Sequence, residues 1–423
     1  MYDAIIIGGG IAGYNCAIKI VELGGKVALI EKGELGGTCT NWGCIPTKAL
    51  YASAKVIDRV KKSKKYGVNV DNFSVDFKEI MERKDRIVKT SILGIKQLLE
   101  KVEVIQGEGK IVDKNKVEVN DKVIEGKNIV IATGSKAIKL PKIEGMDNEE
   151  ILKLEEVPKK LLIVGGGAIG VEFGCIFNRF GSEVTIVEML VQIIPTEEKE
   201  IAEELMKIME KEGIRIFTNA KVEYVKNNEA LIKTNEGEIK EEFDKVLVAV
   251  GRKANFDKEE LDKIGVKYSK KGVKVNKQMQ TNIDNIYAIG DVTGDYLLAH
   301  YGLHQGKVAA ENIMGKKSKI SKIVPNCIYT MPEVVSVGKI TDNFKKFNYA
   351  ANGKARTLDE IRGFIKVYLE KDKIVGCSII GAEATELIAE VTLAIQNRLS
   401  VEDIKKTIHA HPTLSELFFE ALS

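Results

Sequence analysis

The chain has 423 residues, 44% of them apolar and 30% charged, with a net charge of +3. That length exceeds one ordinary hydrophobic core and implies two or three domains, and the composition excludes a disordered chain. Near-balanced charge gives no footing for nucleic acid or an anionic membrane. The densest basic run, Lys61 to Lys65, reads as a solvated helix end. No apolar stretch reaches membrane-spanning length. The opening "MYDAIIIGGG" lacks a basic leader and a cleavage site, so it reads as a first β-strand and a cytoplasmic protein is expected.

The first element is a unit used twice. "AIIIGGGIAGYNCAIKIVELGGKVALIEK" sets an apolar strand, then Gly8, Gly10 and Gly13, a helix, and a strand ending at Glu31. "LLIVGGGAIGVEFGCIFNRFGSEVTIVEM" repeats this with Gly165, Gly167, Gly170 and Glu188, at a constant offset of 157 residues. In such a βαβ unit the first glycine makes a tight turn, the second admits a pyrophosphate, and the third lets helix pack on strand. The helix N-terminus offers free N–H groups to phosphates, and the terminal carboxylate can accept from ribose hydroxyls. Two copies, each after a strand and each with its acid in place, are strong where one would be weak.

Between them lies "GGTCTNWGCIPTKAL", Gly36 to Leu50, with Cys39 and Cys44 on a glycine-rich lead-in to a helix. Four readings are open for two thiols so placed: half a zinc site, a structural disulfide, inert core residues, or a redox couple. Zinc needs two further ligands that no cysteines or histidines are arranged to supply. A disulfide in a cytosolic chain with six cysteines is catalytic more often than structural. Pro46 suits the first turn of the following helix, which sets Cys44 near a helix N-terminus and favours its thiolate.

Further along, "KNIVIATGS" and "DKVLVAVGR" are apolar strands that stop at glycine, each returning to its own sheet. "KVEVNDKVIEGK" and "NEALIKTNEGEIK" read as antiparallel excursions, and "TNIDNIYAIGDVTG" as a short strand followed by Gly290-Asp291. After Gly315, "SKIVPNCIYTMPEVVSVGKI" and "GFIKVYLEKDKIVGCSIIG" alternate as antiparallel strands. Helical patterns follow from Ala382 to Arg398 and over the last residues, giving a separate α+β domain. Cys16, Cys175, Cys327 and Cys377 fall in apolar segments and read as buried, inert thiols.

Two dinucleotide units, a C-x4-C after the first, a late Gly-Asp and a C-terminal "HAHPTLSE" resemble, from end to end, the class I pyridine nucleotide-disulfide oxidoreductases. The resemblance implies an α/β chain: a discontinuous Rossmann-like FAD-binding domain over 1–145 and 253–317, an NAD-binding domain over 146–252, and a C-terminal dimerisation domain over 318–423. Within the family the wording is most similar to the branch that oxidises dihydrolipoamide, free or on a lipoyl-bearing protein domain, with NAD+, as a homodimer. Resemblance assigns Cys44 to the flavin and Cys39 to exchange with substrate. It makes His411 the base, oriented by Glu416 and serving the other subunit, and pairs Lys48 with Glu172 beside the flavin.

For FAD the resemblance implies contacts at Gly8, Gly10, Gly13, Glu31, Lys32, Gly37, Thr38, Lys48, Gly109, Thr133, Gly134, Ser135, Gly290, Asp291, Leu298, Ala299 and His300. For NAD it implies Gly165, Gly167, Ala168, Ile169, Gly170, Glu188, Val222 and Gly251. No metal is expected. Glu188 accepts a ribose 2′-hydroxyl but repels a 2′-phosphate, and no arginine follows it, so NAD is expected over NADP. His411 and Glu416 do not share a helix face, so their pairing requires a bend that Pro412 can supply.

The chain departs from the family in a short connector between Pro141 and Leu161 and in "GKITDNFKKFNYAAN", which lacks room for a helix. Gln305 stands where the family usually has an acid, with little chemical consequence expected. The competing readings are a reductase of another small disulfide or of metal ions, driven by NAD(P)H, and a non-catalytic flavoprotein.

Overall fold

The computed structural model describes residues 1–423. Strand Tyr2–Ile7 pairs in parallel with Val27–Glu31 on one side and with the second half of Lys122–Ile131 on the other; Glu103–Gln106 and Ile286–Ala288 complete the parallel part. The first half of Lys122–Ile131 carries the antiparallel strands Lys116–Val119 and Lys110–Asp113. Both faces of the parallel part are covered: Ala4, Ile6 and Leu29 point into one cluster, Ile5, Ile7 and Ile30 into another. This double burial explains the unbroken apolar run at the N-terminus.

The second unit repeats the first in register. Ile7 opposes Ile30 and Ile131; 157 residues on, Val164 opposes Val187 and Val248. Arg215–Phe217 flanks Glu183–Val187, and a separate antiparallel sheet of Lys221–Lys226, Glu229–Thr234 and Gly237–Glu242 matches the excursion of the first unit. Contacts to this unit run through Leu140, which packs on its core, Lys142, whose carbonyl accepts from Val225 N–H, and Met146, which bridges Leu247. The two strands that cross between units, Ser135–Ala137 and Arg252–Ala254, pair antiparallel.

The third unit is a five-stranded antiparallel sheet in the order Asn326–Ile328, Glu333–Gly338, Lys373–Gly381, Phe364–Glu370, Phe344–Asn348, with helix Ala384–Gln396 against it. Gly338 leads to Phe344–Asn348 with no α-helix between, as the short spacing requires. One apolar cluster joins all three units: Leu50 and Tyr51 come from the cysteine-bearing helix, Phe173 and Phe177 from the second unit, and Ile328 and Phe364 from the third. No helix is long and apolar enough to cross a membrane.

Candidate active site

The cysteine stretch is two helices, not a loop leading to one. Cys39 lies inside Gly37–Trp42, and Cys44 opens the 18-residue helix Cys44–Lys61. Gly43 parts them at φ −138°, ψ −115°, where a Cβ would come within 2.8 Å of the Thr38 carbonyl oxygen. Both sulfurs are unbridged here and part-buried. The Cys39 thiol donates to Cys44, and that bond, more than burial, pushes the Cys39 pKa up. The same bond outweighs burial at Cys44 and, with the Lys48 ammonium, holds its thiol below the ordinary range. The pair is therefore asymmetric, with the negative charge favoured on Cys44 and the proton on Cys39.

Lys48, one turn along, meets Glu172 of the second unit's nucleotide helix at 2.9 and 3.1 Å. The Glu172 carboxylate is nearly buried and also accepts the Tyr329 N–H of the third unit at 2.9 Å. The Tyr329 ring lies under the Lys48 ammonium, 4.3 Å from its centroid. One carboxylate thus joins the redox helix to both other units.

The two glycine turns form matching cradles. Gly8 and Gly165 have φ of +111° and +109°, and a Cβ on Gly13 or Gly170 would sit 1.9 Å from the carbonyl oxygen of Gly8 or Gly165. A Cβ on Gly167 would meet nothing, and one on Gly10 only Gly37 Cα at 3.8 Å, so space opens over each helix start. Helices Ile11–Glu22 and Ala168–Phe180, the latter opening with Ala168 and Ile169, have no side-chain cap, and their first N–H groups are free for phosphate. Glu31 accepts Gly9 N–H at 2.6 Å and Gly33 N–H at 2.7 Å; Glu188 accepts Gly166 N–H and Leu190 N–H at 2.7 and 2.8 Å. Each carboxylate is aimed by the glycine turn itself and keeps lone pairs for a ribose. Free donors, open space and an oriented acceptor fit a dinucleotide at both cradles.

Around the first cradle, Gly37 is so close to Gly10 that a Cβ would meet its Cα at 2.7 Å, and Gly109 packs on Ile7 and Ile30. Thr133 Oγ1 donates to the Asn255 carbonyl, and the Gly134 carbonyl accepts Asn255 N–H. Ser135 Oγ donates to Asp291 Oδ2 at 2.6 Å. Burial pushes the Asp291 carboxyl up, while Ser135 and the Arg252 charge pull it down. Gln305, 1% exposed, accepts Gly290 N–H at 2.6 Å, a role that needs an acceptor and no charge. Leu298 precedes helix Ala299–Ile313, whose His300 Nε2 bonds the Pro325 carbonyl at 2.8 Å and is pushed down by burial. Lys32 is exposed and pairs with Glu108 at 3.0 Å. In the second cradle Val222 is buried in the core, leaving only its backbone for a ligand, and Gly251 adopts φ +109°.

His411 and Glu416 pair at 2.8 Å, through Nδ1 and Oε1, across a turn with a cis His411–Pro412 bond. Thr413 N–H, first, and His411, second, hold the Glu416 carboxyl below its usual range. The His411 side chain is 77% exposed and bonds to nothing in the cysteine stretch. His409 is enclosed instead, 2.9 Å from Glu390. Cys16, Cys175 and Cys377 are buried, whereas Cys327 is only part-buried. Arg252, Asn148 and Tyr329 carry no sequence signal of their own, because their roles come from contacts more than a hundred residues distant. A cleft of about 810 Å³ lies away from the cysteines, between Tyr51, Lys55 and Arg59 and the third unit's Glu360 and Arg362.

Two dinucleotide cradles bracketing an asymmetric thiol pair define a nucleotide-linked thiol redox protein. The chain belongs to the pyridine nucleotide-disulphide oxidoreductase family, whose model matches residues 2–306 and whose dimerisation domain matches residues 324–422. It is 38% identical over 446 residues to a dihydrolipoyl dehydrogenase of Chlamydia trachomatis, covering 99% of this chain and 96% of that one. To one of Staphylococcus aureus it is 40% identical, covering 99% and 95%. Among solved structures, the HOCl-induced flavoprotein disulfide reductase RclA from Escherichia coli superposes with a TM-score of 0.87 at 28% identity, covering 100% and 99%. LpdA from Mycobacterium tuberculosis, at 24% identity, shares the fold with a TM-score of 0.91, covering 99% and 98%.

Proposed function

We propose that the chain oxidises dihydrolipoamide to lipoamide and reduces NAD+ through a Cys39–Cys44 disulfide, working as a flavoprotein homodimer. The asymmetric thiol pair beside the Lys48–Glu172 bridge carries this reading, supported by 38–40% identity to dihydrolipoyl dehydrogenases over nearly the whole chain. Gly8, Gly10, Gly13 and Asp291 would hold FAD, which would supply two-electron transfer between the thiols and the pyridine nucleotide.

His411 Nε2, with Nδ1 tied to Glu416, takes the proton of one substrate thiol. The thiolate so formed attacks Cys39 Sγ; the Cys39–Cys44 bond breaks and Cys44 leaves as the thiolate that its surroundings favour. His411 hands that first proton to the departing Cys39 sulfur and takes the proton of the second substrate thiol, which closes the substrate disulfide and expels Cys39 as a protonated thiol. The substrate is oxidised by two electrons and the cysteine pair reduced by two. The exposed His411, unattached to its own cysteine stretch, serves the pair of the second copy.

NAD+ reduction measured with dihydrolipoamide beside glutathione, coenzyme A thiol and metal-ion substrates tests the reading. Dihydrolipoamide is expected to give the highest kcat/KM. Preference for another partner would refute it. With Glu188 held toward the ribose, kcat/KM for NAD+ is expected to exceed that for NADP+ by roughly a hundredfold.

A further inference from the structure

From the crossing between units, the Arg252 guanidinium donates to four acceptors. Nε reaches Ser135 Oγ at 2.8 Å, Nη2 the Ser135 carbonyl at 2.9 Å and Thr38 Oγ1 at 3.5 Å, and Nη1 Asn148 Oδ1 at 3.0 Å. Two of these acceptors pass the contact on. Ser135 Oγ, having accepted from Arg252, donates its own proton to Asp291. Asn148 Nδ2 donates at 2.7 Å to the carbonyl of Trp42, which lies between the two cysteines, and Thr38 directly precedes Cys39. Only a planar fork with several N–H groups can serve so many directions at once; a lysine ammonium keeps the charge but not the fork.

We propose that Arg252 is a positioning residue that fastens the Cys39–Cys44 stretch and the Asp291 carboxylate to one crossing, keeping the disulfide and the flavin site in fixed relation. This rests on the reading of Asp291 as a flavin contact. The charged groups facing this pair are few: Arg252 faces Asp291, and Asp147 and Asp291 face Arg252. Burial already favours the protonated form of Asp291, and the guanidinium opposes it. Without Arg252 the carboxylate takes up its proton at a higher pH and offers the ribityl hydroxyls a weaker acceptor sooner as the medium is acidified.

Flavin release from purified holoenzyme, titrated from neutral into the acid range, tests this with R252Q, R252K and D291N. Emission of Trp42, the chain's only tryptophan, is recorded alongside. In R252Q the release midpoint is expected to rise by about one pH unit, as for a lost neighbouring charge, with a shifted Trp42 emission maximum. R252K is expected to restore the midpoint but not the emission. An R252Q protein with the wild-type midpoint and emission overturns the role of Arg252. D291N holding flavin as tightly as wild type overturns the Asp291 reading and the proposal with it, so the two failures are distinguishable.

Discussion

At the scale of single residues, chemistry here is set by which neighbour each titrating group meets. Cys39 and Cys44 are the same residue type five positions apart, yet one is pushed up and the other down, because one donates and the other accepts beside Lys48. In Lys48→Met the thiolate–flavin absorption band of the reduced protein is expected to appear about one pH unit higher than in wild type, read by spectrophotometric titration. His411→Gln is expected to lower dithiol turnover by about 10²- to 10⁴-fold while leaving the band intact, since base help is lost and the thiol pair is untouched. The sequence made Cys44, Lys48, Glu172, His411 and Glu416 legible through motif and resemblance. Tyr329 under Lys48 and Arg252 beneath the cysteine stretch were not legible: a tyrosine just past a strand and an arginine opening one look ordinary until folding brings residues 38, 135 and 148 around the guanidinium.

At the scale of elements, the duplicated unit shows why the glycines are not equivalent. Gly170→Ala places a Cβ 1.9 Å from the Gly165 carbonyl oxygen, so helix Ala168–Phe180 cannot close on its strand; a loss of more than about 2 kcal/mol is expected, visible as a lowered Tm. Gly167→Ala meets no atom of the chain. It is expected to keep Tm near wild type but to raise KM for NAD+ at least about tenfold, since the methyl enters space meant for the pyrophosphate. The strands, the parallel pairing and the antiparallel third unit were legible from apolar runs and alternation. The break at Gly43 was not, because a glycine within a helix-like stretch does not announce whether it bends or ends it; here ψ of −115° ends one helix and Cys44 opens the next.

For the whole molecule, the function proposed above divides one reaction between two copies, the exposed His411 of one serving the part-buried cysteines of the other. Mixed and reassociated Cys44→Ser and His411→Gln chains, each inactive alone, are expected to recover about a quarter of wild-type turnover, because half the dimers are hybrids with one intact site of two. No recovery on mixing would place both groups in one copy. The meeting of the three units at Glu172 has a further consequence in time. Lys48 and Glu172 are 124 residues apart in the chain, and Tyr329 lies 157 beyond Glu172. At ribosomal speed the first gap alone lasts on the order of ten seconds. Throughout that interval the nascent chain carries the Lys48 ammonium without the carboxylate that will hold it. The redox helix is fastened last, once synthesis has delivered the units that supply Glu172 and Tyr329.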